Sequence, residues 1–193
     1  MSKRAVILHG TDCSPDSNWL PWAKHQLESR GYDVWVPELP GNHTPNRFVY
    51  DGFLRESGWD FTDNVLIGHS SGATNILNLL AADWFPTVEK AILVGTFLNE
   101  DKLHANRPDW YEDGQFDQLF PVVFDVDTIK AKAREFIFIH GVDDPYCAYD
   151  DTVAFCKAVG GTLKSVVDGR HLSSNRKELP ELLPYIEDGE SHK

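Results

Sequence analysis

Short, unbroken runs of apolar residues recur along this chain, and they restrict its fold more than any other feature. The clearest runs are Ala5–Leu8, Val65–Ile67, Ala91–Val94 and Phe136–Ile139. Each has the length of a β-strand but lacks the apolar–polar alternation of a strand with one wet face. A run without alternation is typical of a strand covered on both faces, as in a parallel sheet. The runs therefore predict an α/β fold.

Six strands and the helices between them follow from this pattern. The predicted strands are Arg4–Leu8, Asp33–Val36, Asn64–Ile67, Lys90–Val94, Glu135–Ile139 and Leu163–Val167. The predicted helices are Asn18–Arg30, Ser71–Trp84, Val126–Ala133 and Asp150–Val159, with one more after His171. This alternation predicts a mostly parallel six-stranded sheet with helices on both faces. A length of 193 residues suits one domain, so we assign residues 1–193 to a single domain and expect its tail, Glu187–Lys193, to fray.

One segment, from Phe97 to about Phe124, interrupts the alternation. It has no clear period, yet it contains several aromatic residues, among them Trp110 and Phe116. A long irregular segment inside a compact domain is often functional. The alternative is a surface excursion that packs its own aromatic side chains, and the residues leave both interpretations open.

The charge balance excludes some classes of partner. The chain has 30 acidic and 18 basic residues, a net charge of −12, which repels phosphate backbones and anionic lipid surfaces. We therefore expect neither nucleic acid nor membrane as a partner, and no apolar segment approaches the roughly 18 residues of a membrane span. The cysteines Cys13, Cys147 and Cys156 suit neither a disulfide framework nor a paired zinc motif. They predict reduced thiols in a cytoplasmic protein.

The most informative motif is Gly68-His69-Ser70-Ser71-Gly72, which lies between a predicted strand and a predicted helix. In that context Gly-x-Ser-x-Gly forms the sharp turn that carries the nucleophile of α/β-hydrolases. The turn strains the serine backbone and brings the positions two residues to either side close together, which requires glycine at both. The motif predicts Ser70 as a nucleophile. The alternative is a glycine-rich turn in which the serine only caps the helix.

The end of the first strand predicts part of an oxyanion hole. His9-Gly10 follows that strand, and in α/β-hydrolases a loop of this kind supplies one backbone N–H of the hole. We assign the hole to the backbone N–H groups of Thr11 and Ser71, the second of which lies at a helix N-terminus where the dipole favours negative charge. His9 itself is interpreted as a structural hydrogen-bonding residue.

A serine nucleophile needs a base, and the base needs a carboxylate that orients it. In α/β-hydrolases the chain order is serine, acid, histidine, and His171, after the last predicted strand, is the histidine that suits this order. Asp143 and Asp144 both follow the fifth predicted strand, and the residue types alone leave the choice between them open. Asp168 is interpreted as a turn residue. No metal-ligand spacing and no phosphate-binding loop is recognised, so we expect no metal and no cofactor.

With these motifs the chain resembles the small α/β-hydrolase family of retinoblastoma-binding protein nine and its bacterial serine-hydrolase relatives. The matching residues are His9-Gly10, Gly68–Gly72, Asp143-Asp144-Pro145 and Gly169-Arg170-His171, and the likeness runs from about residue 4 to 186. The family places its acid directly before a proline, so the resemblance implies Asp144. It also implies a reduced sheet without leading antiparallel strands, no large cap, and hydrolysis of ester or amide bonds. The Leu-x-Cys-x-Glu sequence that binding to the retinoblastoma protein would use is not in the chain, so that partner is not carried over.

These observations predict a serine hydrolase that cleaves ester, thioester or amide bonds of small acyl substrates through an acyl-enzyme on Ser70. Trp110 and Trp19 are candidates for an apolar substrate pocket, with core packing as the alternative for each. Two rival functions stay open. One is a catalytically silent protein-binding or regulatory module, and the other is an acyltransferase or thioesterase. No protein partner is predicted.

Overall fold

One parallel sheet forms the centre of the molecule. The computed structural model describes residues 3–173 and 176–186. The strands are β1 (Lys3–Leu8), β2 (Tyr32–Trp35), β3 (Val65–His69), β4 (Val88–Val94), β5 (Ala133–Gly141) and β6 (Thr162–Val166). Their order across the sheet is β2-β1-β3-β4-β5-β6, and every neighbouring pair is parallel. The predicted α/β-hydrolase fold with six strands is confirmed, and the sheet is all parallel rather than mostly parallel.

Helices cover both faces of this sheet. They are α1 (Leu20–Glu28), α2 (Arg47–Arg55), α3 (Ser71–Leu80), α4 (Asp101–Asn106), α5 (Val126–Ala131), α6 (Tyr149–Val159) and α7 (Leu183–Ile186), the last preceded by a 3-10 turn over Pro180–Leu182. Within the described ranges no helix is both long enough and apolar enough to cross a membrane. The predicted frayed tail lies outside the described residues.

The unbroken apolar runs are explained by two cores. Side chains along a strand point alternately to opposite faces, so Val6 and Leu8 of β1 enter one apolar cluster while Ala5 and Ile7 enter another. The first cluster also contains residues of α2, α3, α5 and α6, and the second contains residues of α1 and of the last helical turns. Both faces of the central strands are thus dry, which requires apolar residues at every position.

Several predicted helix ends were wrong, for local reasons. Helix α1 begins at Leu20 rather than Asn18, because Asn18 has a left-handed φ of 53°. Helix α3 ends at Leu80 rather than Trp84, and Trp84 instead packs edge-on against Phe61. The helix predicted to Ala133 ends at Ala131, because Ala133 is already the first residue of β5.

Two helices, α2 and α4, were not predicted. Helix α2 has an N-cap that could have been recognised: the Asn46 side chain accepts hydrogen bonds from the N–H groups of Phe48 and Val49. Its apolar period is obscured because Phe48 and Val49 are exposed. Helix α4 has only six residues, too few for a 3.6-residue period to show.

The irregular segment 97–124 contains α4 and forms an apolar cluster together with Cys147. This apical cluster consists of Phe97, Leu103, Tyr111, Phe116, Leu119 and Cys147. The segment is tied to the helices below it, since Asn78 Nδ2 of α3 donates to the Leu119 carbonyl at 2.9 Å and the Arg47 N–H of α2 donates to the Gln118 carbonyl at 2.9 Å. The segment does pack its own aromatic residues, as one of the two interpretations expected.

The strand order determines which loops meet. The chain runs from β1 outward to β2 and then crosses to β3 on the other side of β1, so the carboxyl ends of β1 and β3 flank a topological switch point, where open α/β sheets bind ligands. The register pairs Leu8 with Gly68 and Gly141 with Val166. The loop after β1 therefore lies beside the turn after β3, and the loop after β5 lies beside the loop after β6.

Candidate active site

Ser70 occupies a strained turn between β3 and α3. Its backbone has φ 55° and ψ −122°, a conformation that L-residues rarely adopt and that is typical of functional sites. The Ser70 N–H donates to the Val94 carbonyl at 2.9 Å, and the Ser70 carbonyl accepts the Ala73 N–H at 2.9 Å. The turn is therefore tied to the adjacent strand β4 and to the first turn of its own helix, which maintains the strain.

The flanking glycines are required by close backbone contacts. A Cβ atom on Gly68 would lie 2.6 Å from the Ala73 Cα atom, and one on Gly72 would lie 2.3 Å from the Leu8 carbonyl oxygen. Both neighbours are backbone atoms, which cannot move aside as a flexible side chain can. The motif thus allows α3 to pack directly against the end of β1.

A short hydrogen bond joins His171 and Asp144. The distance from His171 Nδ1 to Asp144 Oδ2 is 2.8 Å, and the exposed fractions of the two side chains are 11% and 0%. A carboxylate only accepts hydrogen bonds, so Nδ1 carries the proton and Nε2 of the neutral ring has a free lone pair. The pair therefore has the tautomer that a general base needs.

The environment of Asp144 favours its charged form. Burial has the largest single influence and would raise the pKa of this carboxyl. The hydrogen bond from His171, the electrostatic interaction with that side chain and the N–H groups of Cys147 and Tyr146 outweigh it and hold the pKa below its usual value. Those N–H groups donate to Asp144 Oδ1 at 3.0 and 2.8 Å. Asp144 is thus a buried, ionised acceptor for the imidazole.

The two other candidate acids have different positions. Asp143 is exposed, and its Oδ1 accepts the Arg170 N–H at 2.8 Å, so it contacts the backbone of the His171 loop rather than the ring. Asp168 lies exposed in the preceding turn with a left-handed φ of 53°. Of the adjacent pair, Asp144 is the residue that the structure brings to His171.

The two residues assigned to the oxyanion hole are in contact. A Cβ atom on Gly10 would lie 3.1 Å from the Ser70 Cβ atom, so the loop after β1 passes directly over the serine. The hydroxyl groups of Thr11 and Ser71 are hydrogen-bonded at 2.9 Å. This bond links the two residues whose N–H groups were assigned to the hole.

His9 connects this loop to the chain after β2. Its Nε2 accepts the Leu39 N–H at 2.9 Å, so the proton is on Nδ1, which donates to the Gly10 carbonyl at 2.9 Å. Burial lowers the pKa of His9, which favours the neutral ring. His9 thus has the contacts of a structural residue that holds the loop over Ser70.

Two buried side chains, His69 and Trp19, donate hydrogen bonds to backbone carbonyls of the His171 loop, a role that sequence reasoning did not predict for either. His69 Nε2 donates to the His171 carbonyl at 3.0 Å, and burial lowers the pKa of His69 to about 3, so this ring is neutral. Trp19, which was one candidate for a substrate pocket, is fully buried in the core. Its Nε1–H donates to the Leu172 carbonyl at 2.9 Å.

Helix α4 holds the Asp144 loop in a similar way. Lys102 Nζ donates to the Asp144 carbonyl at 2.6 Å, and Asn106 Nδ2 donates to the Pro145 carbonyl at 2.8 Å. Sequence reasoning missed both residues, and no local signal could have found them, since they lie about 40 positions from their acceptors in a segment without a period.

Ser70 and His171 line one cavity of about 350 Å³ at the carboxyl edge of the sheet. Thr11, Gly10 and Trp110 line it too. Within the described ranges the Ser70 hydroxyl forms no hydrogen bond to the imidazole; in ligand-free active sites this contact is often long and tightens when substrate binds. The predicted nucleophile, base, acid and oxyanion residues therefore converge on one cavity or directly behind it.

One group of potential metal ligands lies within the described residues. Oδ2 of Asp144, Sγ of Cys147 and Nδ1 of His171 are all within 4.8 Å of one another. Two of these atoms already share the hydrogen bond described above, and burial raises the pKa of the Cys147 thiol. The chemistry of the group is that of an acid–base pair beside a protonated thiol.

Comparison with known proteins supports the family and the fold of the chain. A model of the alpha/beta hydrolase family matches residues 5–182. A comparison with curated protein sequences finds no significant match.

Three solved structures illustrate the similarity of fold. The ydeN gene product from B. subtilis is 21% identical, with a TM-score of 0.82 over 96% of this chain and 98% of that chain. A putative YdeN-like hydrolase from Pectobacterium atrosepticum is 14% identical, with a TM-score of 0.59 over 95% and 91%. The esterase domain of a Rhodothermus marinus protein is 19% identical, with a TM-score of 0.66 over 90% and 80%. At these identities the likeness is one of fold.

Proposed function

The chain belongs to the alpha/beta hydrolase family, and we propose that it is a serine hydrolase that cleaves esters of small acyl groups through an acyl-enzyme on Ser70. The observation that carries this proposal is the 2.8 Å hydrogen bond from His171 to the buried Asp144, made by a ring that lines the same cavity as Ser70. Thioesters and amides contain the same electrophilic carbonyl carbon and are secondary candidates.

The proposed reaction has two acyl-transfer steps. The Ser70 oxygen bonds to the carbonyl carbon of the substrate while His171 Nε2 takes the hydroxyl proton, and the carbonyl oxygen becomes an oxyanion. His171 then protonates the leaving group as its bond to carbon breaks. Water attacks the acyl-enzyme in the same manner and regenerates the serine. Asp144 stabilises the imidazolium that forms in both steps, without itself taking the proton.

The N–H groups of Thr11 and Ser71 are the proposed donors to the oxyanion. Support comes from the 2.9 Å bond between their hydroxyl groups and from the place of Ser71 at the start of the ten-residue helix α3, whose dipole favours negative charge. Loss of one donor of this kind typically lowers kcat by about 10²–10³-fold.

Within the family we place the chain with the small hydrolases that resemble retinoblastoma-binding protein nine. The support is the doubled aspartate before Pro145, together with the YdeN-like neighbours, which are close to this chain in length. We also propose that residues 1–193 act as one domain.

The experiment that tests the proposed function compares the wild type with Ser70→Ala. A fluorophosphonate probe should label the wild type covalently and leave Ser70→Ala unlabelled, and kcat for p-nitrophenyl butyrate should fall by about 10⁶-fold in the variant. Ser71→Ala is a useful control, because it retains the backbone N–H and should still be labelled.

A folded wild type that neither reacts with the probe nor hydrolyses esters would overturn the proposal and favour the silent binding module. Faster turnover with alcohol or thiol acceptors than with water would instead identify an acyltransferase.

A further inference from the structure

The cavity beside Ser70 has two chemically different sides. One side contains the reacting groups and the loop over them. The other is apolar or aromatic and is formed by Phe97, Leu103, Trp110, Phe116, Tyr146 and Cys147. Four of these six residues, all but Tyr146 and Cys147, belong to the irregular segment 97–124, so this segment does more than pack its own side chains. It provides four of the six residues on the apolar side of the cavity.

The size of the cavity restricts what fits. Its volume of about 350 Å³ is close to the lower end of the roughly 300–1,000 Å³ that small-molecule sites occupy. The acyl group stays bonded to Ser70 throughout the acyl-enzyme stage, so it must fit in the cavity that Ser70 lines. A leaving group departs and needs no such enclosure.

The charged groups that line the cavity restrict the kind of acyl group further. Among the described residues no lysine or arginine lines the cavity, and the carboxyl group that lines it is that of Asp12. The Asp12 carboxylate is itself paired with His43 Nδ1 at 2.8 Å. A carboxylate on an entering acyl chain would lose water without gaining a cation, on a protein whose net charge is −12.

We propose that this cavity is an acyl pocket selective for uncharged, apolar acyl groups longer than acetyl, and that segment 97–124 determines this selectivity. The inference rests on the proposed function and specifies its substrate class. Apolar burial favours each added methylene, and the missing countercharge excludes acyl groups that end in a carboxylate.

Trp110 is the residue of the segment that can be tested with least harm to the fold. It is 39% exposed, and its ring meets the Tyr146 ring edge-on with centroids 5.2 Å apart. Tyr146 in turn meets the His171 ring edge-on at 5.1 Å. These rings form a continuous aromatic wall from the protein surface to the base, along which an acyl chain can lie.

The test is a panel of p-nitrophenyl esters that share one leaving group. We expect kcat/KM to rise at least about tenfold from acetate to hexanoate, since each buried methylene favours binding. We expect the hydrogen succinate ester to be at least about tenfold slower than the butyrate ester of the same chain length. In Trp110→Ala the ratio of hexanoate to acetate kcat/KM should fall several-fold. In the control Phe48→Ala, where the aromatic ring removed is exposed on α2 away from the cavity, the ratio should stay at the wild-type value.

The outcomes separate the two proposals. Suppose that labelling and acetate hydrolysis depend on Ser70, so that the chain is a hydrolase. The acyl pocket would then be overturned by any one of three results: kcat/KM that does not change with acyl length, equal rates for the succinate and butyrate esters, or an unchanged hexanoate-to-acetate ratio in Trp110→Ala. A second panel of alkyl butyrates varies the length of the alcohol instead. If the rates depend on the length of the alcohol but not on that of the acyl group, the assignment of the cavity to the acyl group would be overturned. Absence of both labelling and hydrolysis would overturn the proposed function itself.

Discussion

Asp143 and Asp144 are adjacent in the chain but have opposite environments. Asp144 is fully buried and accepts hydrogen bonds from His171 and from two backbone N–H groups, whereas Asp143 is exposed and accepts one backbone N–H. Replacing Asp144 Oδ2 by an amide N–H would leave the buried His171 Nδ1–H without an acceptor, which costs more than the same change at the surface. The two carboxylates therefore provide a matched pair for testing the proposed acid.

In Asp144→Asn we expect kcat for an ester substrate to fall by about 10⁴-fold, because an amide cannot stabilise the imidazolium and can donate to Nδ1, which favours the wrong tautomer. In Asp143→Asn the side-chain oxygen still accepts the Arg170 N–H, and we expect less than a tenfold change. Steady-state kinetics of both variants check this. Equal losses, or a larger loss in Asp143→Asn, would contradict the assignment of Asp144.

At the scale of elements, the junction of β3, the turn and α3 depends on the absence of side chains. A Cβ atom on Gly72 would approach the carbonyl oxygens of Leu8 and His9 to 2.3 and 2.5 Å, so α3 and β1 would have to separate. Gly52, in the interior of α2, has no atom within 4 Å of the corresponding position. The same substitution should therefore have opposite effects at the two sites.

We expect Gly72→Ala to lower the free energy of unfolding by about 3 kcal/mol, the upper end for overpacking. We expect Gly52→Ala to raise it by about 0.5–1 kcal/mol, since alanine has the better helix propensity and less freedom in the unfolded chain. Urea denaturation at neutral pH measures both. A Gly72→Ala protein as stable as Gly52→Ala would show that the close approach of α3 to β1 is not required.

Sequence patterns were sufficient to predict the strands but not all of the helices. All six strands were predicted because each has an unbroken apolar run or a short β-branched stretch next to turn residues. Helix α2 was missed because Phe48 and Val49 lie on its exposed side, which hides the apolar period. Helix α4 was missed because its six residues show no apolar period and the helix is held in place by hydrogen bonds to the Asp144 loop.

For the whole molecule, buried histidines couple stability to pH. Burial lowers the pKa of His9, His69 and His140, while the unfolded chain protonates them at about 6.5. The unfolded state therefore binds more protons below that pH, and the free energy of unfolding should fall as pH decreases from about 6.5 to 5. The pKa of Asp144 is also lowered. Its contribution to stability is present above about pH 3.9, the usual pKa of an aspartate, and is lost only at lower pH, outside the range from pH 6.5 to 5.

His43 affects the pH dependence of stability in the opposite direction. The hydrogen bond and charge of Asp12 raise the pKa of His43, so its contribution is present below about 6.5 and is lost as pH rises through the raised value. We expect urea denaturation between pH 7.5 and 5 to show falling stability in the wild type and a steeper fall in His43→Asn. Stability that does not change over this range would contradict the neutral, buried state of the three histidines.

The sequence by itself determined the features that depend on neighbouring residues: the apolar strands, and the turn in which five consecutive residues from Gly68 to Gly72 place Ser70 between strand and helix. Tertiary structure decided the contacts between distant residues. Asp144 lies 27 positions from His171, and Trp19 lies 153 positions from the carbonyl that it binds. Such pairs form only when the register of β5 against β6 and the packing of α1 bring the loops together, and no local pattern contains that information. The proposed acyl pocket also depends on tertiary structure. Its apolar side comes mainly from segment 97–124, whose position depends on contacts with α2, α3 and the Asp144 loop.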